Sequence, residues 1–418
     1  MPVTVHHGDS RDVLKSIPDA TFDSVVCDPP YALVSIGKRF GADNAAPSRP
    51  GATGAYARAS AGFMGQRWDT GETAFDPEFW VEVMRTMKPG AHLIAFSGTR
   101  TYHRLACAIE DAGFEIRDMV SWLYGSGFPK SHDVSKAIDR AAGAAREVVG
   151  QTIHPDGRHR NVVARDSGVH DGGQRQNGVG LPVTAPATPE AAEWQGWGTA
   201  LKPACEPIVL ARKPLAGTVA ANVLAHGTGA LNIDASRIDG ESTARVNRAE
   251  MGYHGGNLAP EYRTGSDAGR FPANVIHDGS EEVLEAFLQT SSGARAAGDY
   301  RFLGGDVYRR AGAGPMPVLE GSSGSAARFF YSAKADSDDR LGSKHPTVKP
   351  IDLMAYLCRL VTRPGGLVLD PFAGSGSTGM ACLREGFDCV LIEREAEYVE
   401  DIRRRIAHVQ GADTPLFA

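Results

Sequence analysis

The chain has 418 residues, with 42% hydrophobic and 22% charged side chains, which is the composition of a soluble globular protein with a sizeable core. Its 44 lysines and arginines are outnumbered by 50 aspartates and glutamates, and the net charge of −6 excludes a protein that holds nucleic acid by overall positive charge. Any contact with nucleic acid must therefore come from local basic patches.

Alternating strands and helices are predicted over residues 1–125. A strand at 3–6 is followed by an amphipathic helix, and a strand at 22–27 runs directly into Asp28-Pro29-Pro30-Tyr31. Proline cannot donate a hydrogen bond to a neighbouring strand, so the double proline ends this strand. The series continues with a helix from Asp76-Pro77 to Pro89-Gly90, a strand at 92–96, a helix at 102–111 and a strand at 115–123.

Regular periodicity fades over residues 126–344. This segment contains a long loop, 154–181, with four arginines and three histidines but almost no apolar period, and one strand is predicted near 206–211. Order returns over 345–418, with a helix at 353–361, a strand at 367–370, a helix at 378–385, a strand at 389–392 and a helix at 397–409. The two ends of the chain are therefore predicted to form one parallel α/β sheet, interrupted by a large irregular insert at 126–344.

The cysteines and the amino terminus indicate the compartment. Six cysteines are scattered without paired spacing, which argues against a disulfide framework and against the usual zinc sites, so no metal is expected. The first residues lack the charged and apolar regions of a signal peptide, and no apolar run approaches the roughly 18 residues of a membrane span. We expect a reduced, cytoplasmic protein with no membrane partner.

A glycine-rich loop follows the strand that ends at Asp370. Gly374, Gly376 and Gly379 match G-x-G-x-x-G, and Glu393 ends the next strand 19 residues after Gly374. The pattern fits a dinucleotide site, and it also fits a glycine turn that packs a helix closely on a strand. Asp370 and the following Phe372 favour a cationic, adenosine-bearing ligand over a pyrophosphate, because a pyrophosphate is repelled by a nearby carboxylate.

Three motifs resemble those of the amino-group DNA methyltransferases, which methylate N6 of adenine or N4 of cytosine. Residues 370–376 (DPFAGSG) are similar to the family's S-adenosylmethionine-binding motif, residues 28–31 (DPPY) to its catalytic tetrad, and residues 345–350 (HPTVKP) to the motif before the cofactor strand. The order, with the tetrad first and the cofactor loop last, is similar to the permuted β-class, of phage, prophage or restriction-modification type. The resemblance implies a doubly wound, Rossmann-like α/β fold, circularly permuted, with S-adenosylmethionine as cofactor.

The resemblance also implies how the tetrad acts. An exocyclic amine is a poor nucleophile because its lone pair is delocalised into the base, and acceptors on its hydrogens free that lone pair. The carboxylate of Asp28 and the backbone carbonyl of Pro29 would be those acceptors. Pro29 and Pro30 would make the turn rigid, and Tyr31 would offer a face for a flipped base. The alternative for Asp28 is a cap at the end of a strand.

The cofactor residues follow from the same resemblance. Glu393 would bind the ribose hydroxyls of S-adenosylmethionine, and Asp9 would lie near its adenine. Thr347 and Lys349 would contact the carboxylate end of its methionine part. The cofactor loop would contribute Asp370, Phe372, Gly374 and Gly376. Three alternatives stay open: Asp9 as an acid favoured at a helix N-terminus, Lys349 as a solvated lysine, and Phe372 as a core residue.

Double-stranded DNA is the expected partner. The loop at 32–68 follows the tetrad directly and is a candidate phosphate-binding segment, with a solvated linker as the alternative. Its basic residues are Lys38, Arg39, Arg49, Arg58 and Arg67. The insert at 126–344 is the candidate target-recognition region. A homodimer and a cognate restriction endonuclease are further partners that the resemblance suggests.

The favoured function is methylation of adenine N6, because in the resembled family an aspartate at the first tetrad position usually accompanies adenine. Methylation of cytosine N4 by the same machinery is the nearest alternative. A dinucleotide-dependent oxidoreductase would explain the glycine loop but not the tetrad, and a catalytically silent DNA-binding protein would not need the tetrad.

Overall fold

The computed structural model describes residues 3–31, 73–125, 127, 131–151, 182–238, 269–291, 323–333, 338–343, 345 and 347–410. The chain divides into two compact units, one of Met1–Gly125 with Cys205–Ala418 and the other of Ser126–Ala204. The basic residues proposed to contact DNA lie outside the described residues, so their role stays a prediction; these are Lys38, Arg39, Arg49, Arg58 and Arg67.

The strands are β1 (Val3–His7), β2 (Phe22–Cys27), β3 (Met87–Phe96), β4 (Glu115–Leu123), β5 (Val148–Gln151), β6 (Pro182–Thr184), β7 (Cys205–Arg212), β8 (Val275–His277), β9 (Gln289–Ser291), β10 (Ser323–Ser325), β11 (Tyr331–Ser332), β12 (Leu367–Asp370) and β13 (Asp388–Glu393). The α-helices are α1 (Ser10–Val13), α2 (Pro77–Thr86), α3 (Tyr102–Asp111), α4 (Val134–Ala141), α5 (Pro189–Glu193), α6 (Val219–His226), α7 (Glu281–Ala286), α8 (Ile351–Val361), α9 (Ser377–Glu385) and α10 (Ala396–Val409). No helix among the described residues is long and apolar enough to cross a membrane.

In the larger unit, the described residues form a nine-stranded sheet with the order β1-β13-β12-β2-β3-β7-β4-β8-β11. Adjacent strands are parallel except that β7 runs antiparallel to both β3 and β4. The predicted α/β class with a mostly parallel sheet is therefore confirmed. From β12 the chain moves to β13 on one side, and from β2 it moves to β3 on the other side, so the strand order reverses between β12 and β2. In open α/β sheets such a reversal is where ligands bind, at the carboxyl ends of the strands.

The two faces of the sheet carry separate apolar cores, because successive strand residues point to opposite sides. Val26, Ile94 and Val368 belong to the core that includes α8 and α10, while Val25 and Leu93 belong to the core that includes α2 and α3. Both faces are thus covered by helices, which makes the sheet doubly wound and leaves its carboxyl edge as the place for a site.

Two details differ from the expected elements. Strand β3 begins at Met87 rather than at residue 92, because α2 ends at Thr86 and a register shift opposite Phe22 and Ser24 lets Pro89 and Gly90 lie within the strand. The described residues of the segment 126–344 contribute three strands to the large sheet, β7, β8 and β11, where one is expected.

The smaller unit contains an antiparallel pair formed by β5 and β6. Next to it, the buried carboxylate of Asp139 lies 2.6 Å from Nη1 of Arg146 and accepts hydrogen bonds from the backbone and hydroxyl of Thr188. The part of the insert at 126–204 therefore has its own polar core.

Candidate active site

Four neighbouring strands each present a carboxylate at the carboxyl edge of the sheet. In sheet order these are Asp9 two residues after β1, Glu393 at the end of β13, Asp370 at the end of β12 and Asp28 directly after β2. The sequence places these acids far apart, and the parallel pairing brings them to one edge. This edge includes the point where the strand order reverses.

Asp28 is held by a lysine from the other end of the chain. Its Oδ2 lies 2.6 Å from Nζ of Lys349, and the lysine side chain is 9% exposed. Oδ1 of Asp28 is also buried, yet it has no hydrogen-bond partner among the described residues. A buried acceptor without a donor is costly, so Oδ1 is a position at which a donor from a ligand would be stabilised.

Lys349 and Tyr31 share a second carboxylate, that of Glu206 on β7. Nζ of Lys349 lies 3.3 Å from Oε2 of Glu206 and 3.1 Å from the hydroxyl of Tyr31, and that hydroxyl lies 3.0 Å from the same Oε2. Burial lowers the pKa of Lys349, but Asp28 and Glu206 outweigh it and raise the pKa above its ordinary value. Burial, reinforced by the two carboxylates, holds the pKa of Tyr31 well above its ordinary value. The lysine is therefore charged and the tyrosine neutral at neutral pH.

The glycine loop adopts backbone conformations that require glycine. Gly374 has φ +51° and Gly376 has φ +77°, values that other residues rarely adopt. A Cβ on Gly376 would lie 2.9 Å from Cγ1 of Ile402, and a Cβ on Gly374 would lie 3.1 Å from Nε2 of His345. Both glycines are thus explained by backbone conformation and by packing. Their contact with a cofactor stays a prediction.

Glu393 and Asp370 stabilise the same loop from two strand ends. The carboxylate of Glu393 accepts hydrogen bonds from the backbone N–H of Gly374 at 2.8 Å and of Glu395 at 2.7 Å, and burial raises its pKa. Asp370 accepts from the hydroxyl of Thr378 at 2.5 Å and from the backbone N–H of Phe372 at 2.9 Å. Burial, only partly opposed by these two bonds, raises the pKa of Asp370 to about 7.

The contacts of the remaining predicted site residues bear on the alternative roles given for them above. Asp9 caps α1 through the backbone N–H of Arg11 and pairs with its guanidinium at 2.8 Å, which lowers the pKa of Asp9. Phe372 packs on Phe79 with ring centroids 5.1 Å apart, as a core residue would. The carbonyl of Thr347 lies 2.6 Å from Nδ1 of His345. Lys349 is buried on carboxylates, so the solvated-lysine alternative is wrong.

Two residues of the site were not predicted from the sequence. Glu206 lies at the start of β7, a strand whose sequence does not reveal its direction. Because β7 is antiparallel to β3, its start lies at the carboxyl ends of β2 and β3. Arg405 on α10 is fully buried and donates to the carbonyl of Ser375 in the glycine loop. The buried face of this helix carries two charged residues, Asp401 and Arg405, among apolar ones, and this pattern was the available signal for Arg405.

Comparison with known proteins finds a similarity to DNA methylases. A sequence model described as DNA methylase matches residues 305–404, a range that includes the glycine loop and Glu393. Over 68 residues the chain is 44% identical to the methylase YubD of Escherichia coli (strain K12) and 38% identical to the type II methyltransferase M2.DpnII of Streptococcus pneumoniae. The chain is therefore similar to DNA methylases over part of its length. The resemblance carried by the motifs is thereby confirmed, while the phage or restriction-modification type stays a prediction.

The matches to these two relatives cover only part of this chain. They span 16% of it and only 30% of YubD and 25% of M2.DpnII. Among solved structures, TTHA0409 of Thermus thermophilus in complex with S-adenosyl-L-methionine is 15% identical, with a TM-score of 0.39, over 98% of this chain and 97% of its own. The cytosine-N4-specific PvuII DNA methyltransferase is 14% identical, with a TM-score of 0.41, over 96% and 87%. At these TM-scores the structural likeness adds nothing to the assignment.

Proposed function

We propose that the chain transfers a methyl group from S-adenosylmethionine to the exocyclic N6 of adenine in double-stranded DNA. The observation that carries this proposal is the asymmetric environment of Asp28. One carboxylate oxygen is fixed by Lys349 at 2.6 Å, and the other is buried without a partner among the described residues. A fixed, unpartnered carboxylate oxygen is what an amino hydrogen needs as acceptor.

The residues at the carboxyl edge fit the proposed cofactor. A sulfonium is a cation, and four strand ends present the carboxyl groups of Asp9, Glu393, Asp370 and Asp28 there. Each carboxylate oxygen of Glu393 accepts one hydrogen bond, Oε2 from the backbone N–H of Gly374 and Oε1 from that of Glu395. Each oxygen can therefore accept a further hydrogen bond from a ribose hydroxyl. When bound, S-adenosylmethionine supplies an activated methyl group, so the site needs no metal.

The protein's part in the reaction is to orient the amine. Oδ1 of Asp28 accepts one amino hydrogen and the backbone carbonyl of Pro29 accepts the other, which draws the nitrogen toward tetrahedral geometry and frees its lone pair. Lys349 fixes the orientation of the Asp28 carboxylate through a charge-assisted hydrogen bond. Tyr31, whose carbonyl accepts a hydrogen bond from the Thr101 hydroxyl at 2.8 Å, offers its ring to the extruded base. In this proposal Lys349 orients Asp28 and does not bind the cofactor. Thr347 and the glycine loop contact the carboxylate of the cofactor.

Adenine rather than cytosine is the proposed target because Asp28 occupies the first tetrad position. A carboxylate helps the amine of either base, so the choice rests on the family resemblance. An enzyme of this kind acts on DNA in the cytoplasm, where its free cysteines stay reduced. The basic loop at 32–68 is the proposed phosphate-binding segment.

The test is direct. Unmethylated plasmid is incubated with the purified protein and S-adenosylmethionine, and the nucleosides are analysed by mass spectrometry. We expect N6-methyladenine. N4-methylcytosine alone would overturn the base assignment, and the absence of both products under conditions where the protein binds cofactor and DNA would overturn the activity.

A further inference from the structure

A carboxylate outside the recognised motifs contacts two residues of the candidate site. Glu206 is the second residue of β7, and 20% of its side chain is exposed. Its Oε2 is 3.3 Å from Nζ of Lys349 and accepts a hydrogen bond from the Tyr31 hydroxyl at 3.0 Å. Glu206 thus contacts both the lysine that fixes Asp28 and the tyrosine proposed to stack on the base.

The backbone of Glu206 is fixed by the central part of the sheet. β7 lies between β3 and β4, and Glu206 is paired with Trp122. The carbonyl of the next residue, Pro207, accepts a hydrogen bond from the backbone N–H of Ser97 at 3.0 Å. A side chain mounted on a central strand holds its partners in a defined geometry.

We propose that Glu206 is a positioning residue, which holds Lys349 and Tyr31 in place so that Asp28 keeps Oδ1 free for the target amine. This inference rests on the proposed function. Lys349 has three N–H donors and divides them between two carboxylates and the Tyr31 hydroxyl. Without Glu206, the ammonium has Asp28 as its remaining carboxylate partner and moves to bridge both of its oxygens. The Tyr31 hydroxyl at the same time loses its acceptor.

The charge balance gives a second consequence. Two carboxylates surround one ammonium, and Glu206 is one of the two groups that raise the pKa of Lys349 against burial. Within the described part of the chain, the titratable groups that interact with Lys349 are Asp28, Glu206, Tyr31, Tyr124 and His345. Removing the charge of Glu206 lowers the pKa of Lys349, so any loss of activity that follows from deprotonation of Lys349 begins at lower pH.

Glu206→Ala and Glu206→Gln separate the two effects. We expect Glu206→Ala to lower kcat roughly 100-fold at saturating DNA and cofactor, since misplacement of a reacting group by about 1 Å has an effect of this size. The Kd for S-adenosylmethionine should stay that of the parent. Glu206→Gln restores an acceptor for Lys349 and Tyr31 and should recover most of kcat, while in both variants the alkaline loss of activity should begin at lower pH.

Glu115→Ala is the matched control. Glu115 pairs with Arg212 at 2.6 Å at the opposite end of the same β4–β7 pair, so this variant loses an ion pair without touching the site and should keep the parent kcat and pH profile. A Glu206→Ala variant with the kcat and pH profile of an active parent overturns the positioning role and leaves the proposed function standing. Loss of cofactor affinity with unchanged kcat also overturns it. An inactive parent overturns the proposed function and this inference together.

Discussion

Nζ of Lys349 lies 2.6 Å from Oδ2 of Asp28, although 321 residues separate them along the chain. The contact joins the segment before α8 to the turn after β2. A hydrogen bond between Ser377 Oγ and the backbone carbonyl of Lys349, 3.0 Å long, extends the connection to the glycine loop. The proposed cofactor loop and the proposed catalytic carboxylate are therefore linked through one lysine.

Lys349→Met should affect both activity and stability. It leaves the carboxylates of Asp28 and Glu206 close together without a compensating charge, and breaking such a buried pair costs about 3 kcal/mol in the free energy of unfolding. We also expect a fall in kcat of roughly 100-fold, because Asp28 loses its fixed orientation. Lys88→Met is the control. Lys88 pairs with the buried Asp23 at 2.7 Å near the amino ends of β2 and β3, far from the carboxyl ends where the site lies. This variant should lower stability and leave kcat intact, and equal effects of both variants on kcat would contradict the account.

Asp370 makes a pH-dependent contribution to stability. Its folded-state pKa is raised from 3.8 to about 7, so the unfolded chain ionises first as pH rises. The contribution of Asp370 is therefore fully present below about pH 4 and is lost as pH rises to about 7, a difference of about 4 kcal/mol. Asp370→Asn removes this dependence. Denaturant unfolding at pH 4 and pH 7 should show a smaller loss of stability in the variant, and parallel curves for parent and variant would refute the prediction.

Arg405 should affect stability and cofactor binding because it holds the glycine loop. Its guanidinium donates to the carbonyls of Ser375 and Asp339, and Arg405→Met leaves both acceptors without this donor. Loss of hydrogen bonds from a charged group costs about 3 kcal/mol of stability here, and calorimetry should show weaker binding of S-adenosylmethionine. Arg403→Met, on the exposed side of the same helix, should change stability by no more than about 0.5 kcal/mol. Unchanged cofactor affinity in Arg405→Met would show that the loop does not depend on this arginine.

Two glycine substitutions separate backbone strain from packing. Gly365→Ala introduces a Cβ at φ +70° with nothing within 4 Å, so it should cost only the left-handed strain of about 1 kcal/mol. Gly376→Ala, at φ +77°, adds a contact of 2.9 Å with Ile402 and should cost distinctly more. Both costs are measured by unfolding without cofactor. Equal losses would mean that α10 yields to the methyl group and that Gly376 is required for its conformation alone.

Local signals in the sequence predict much of the fold but only part of the site. The strand bounds Phe22–Cys27 and Leu367–Asp370 agree with the sequence because apolar runs there end at proline or begin after glycine. Strand β3 begins five residues earlier than expected, since an irregular register tolerates Pro89 inside it. The roles of Glu206 and Lys349 depend on strand direction and on a contact between the chain ends, and neither leaves a local pattern.

In the proposed mechanism, Asp28 is the acceptor that activates the target amine. The most direct test of this role is the single-turnover rate of methyl transfer to DNA by Asp28→Ala, with the Kd for S-adenosylmethionine measured on the same preparation. Lys349 keeps Glu206 as a partner in this variant, so the site should stay folded. We predict a rate at least about 100-fold below that of the parent, with unchanged cofactor affinity. A parent-like rate of transfer by Asp28→Ala would contradict the mechanism.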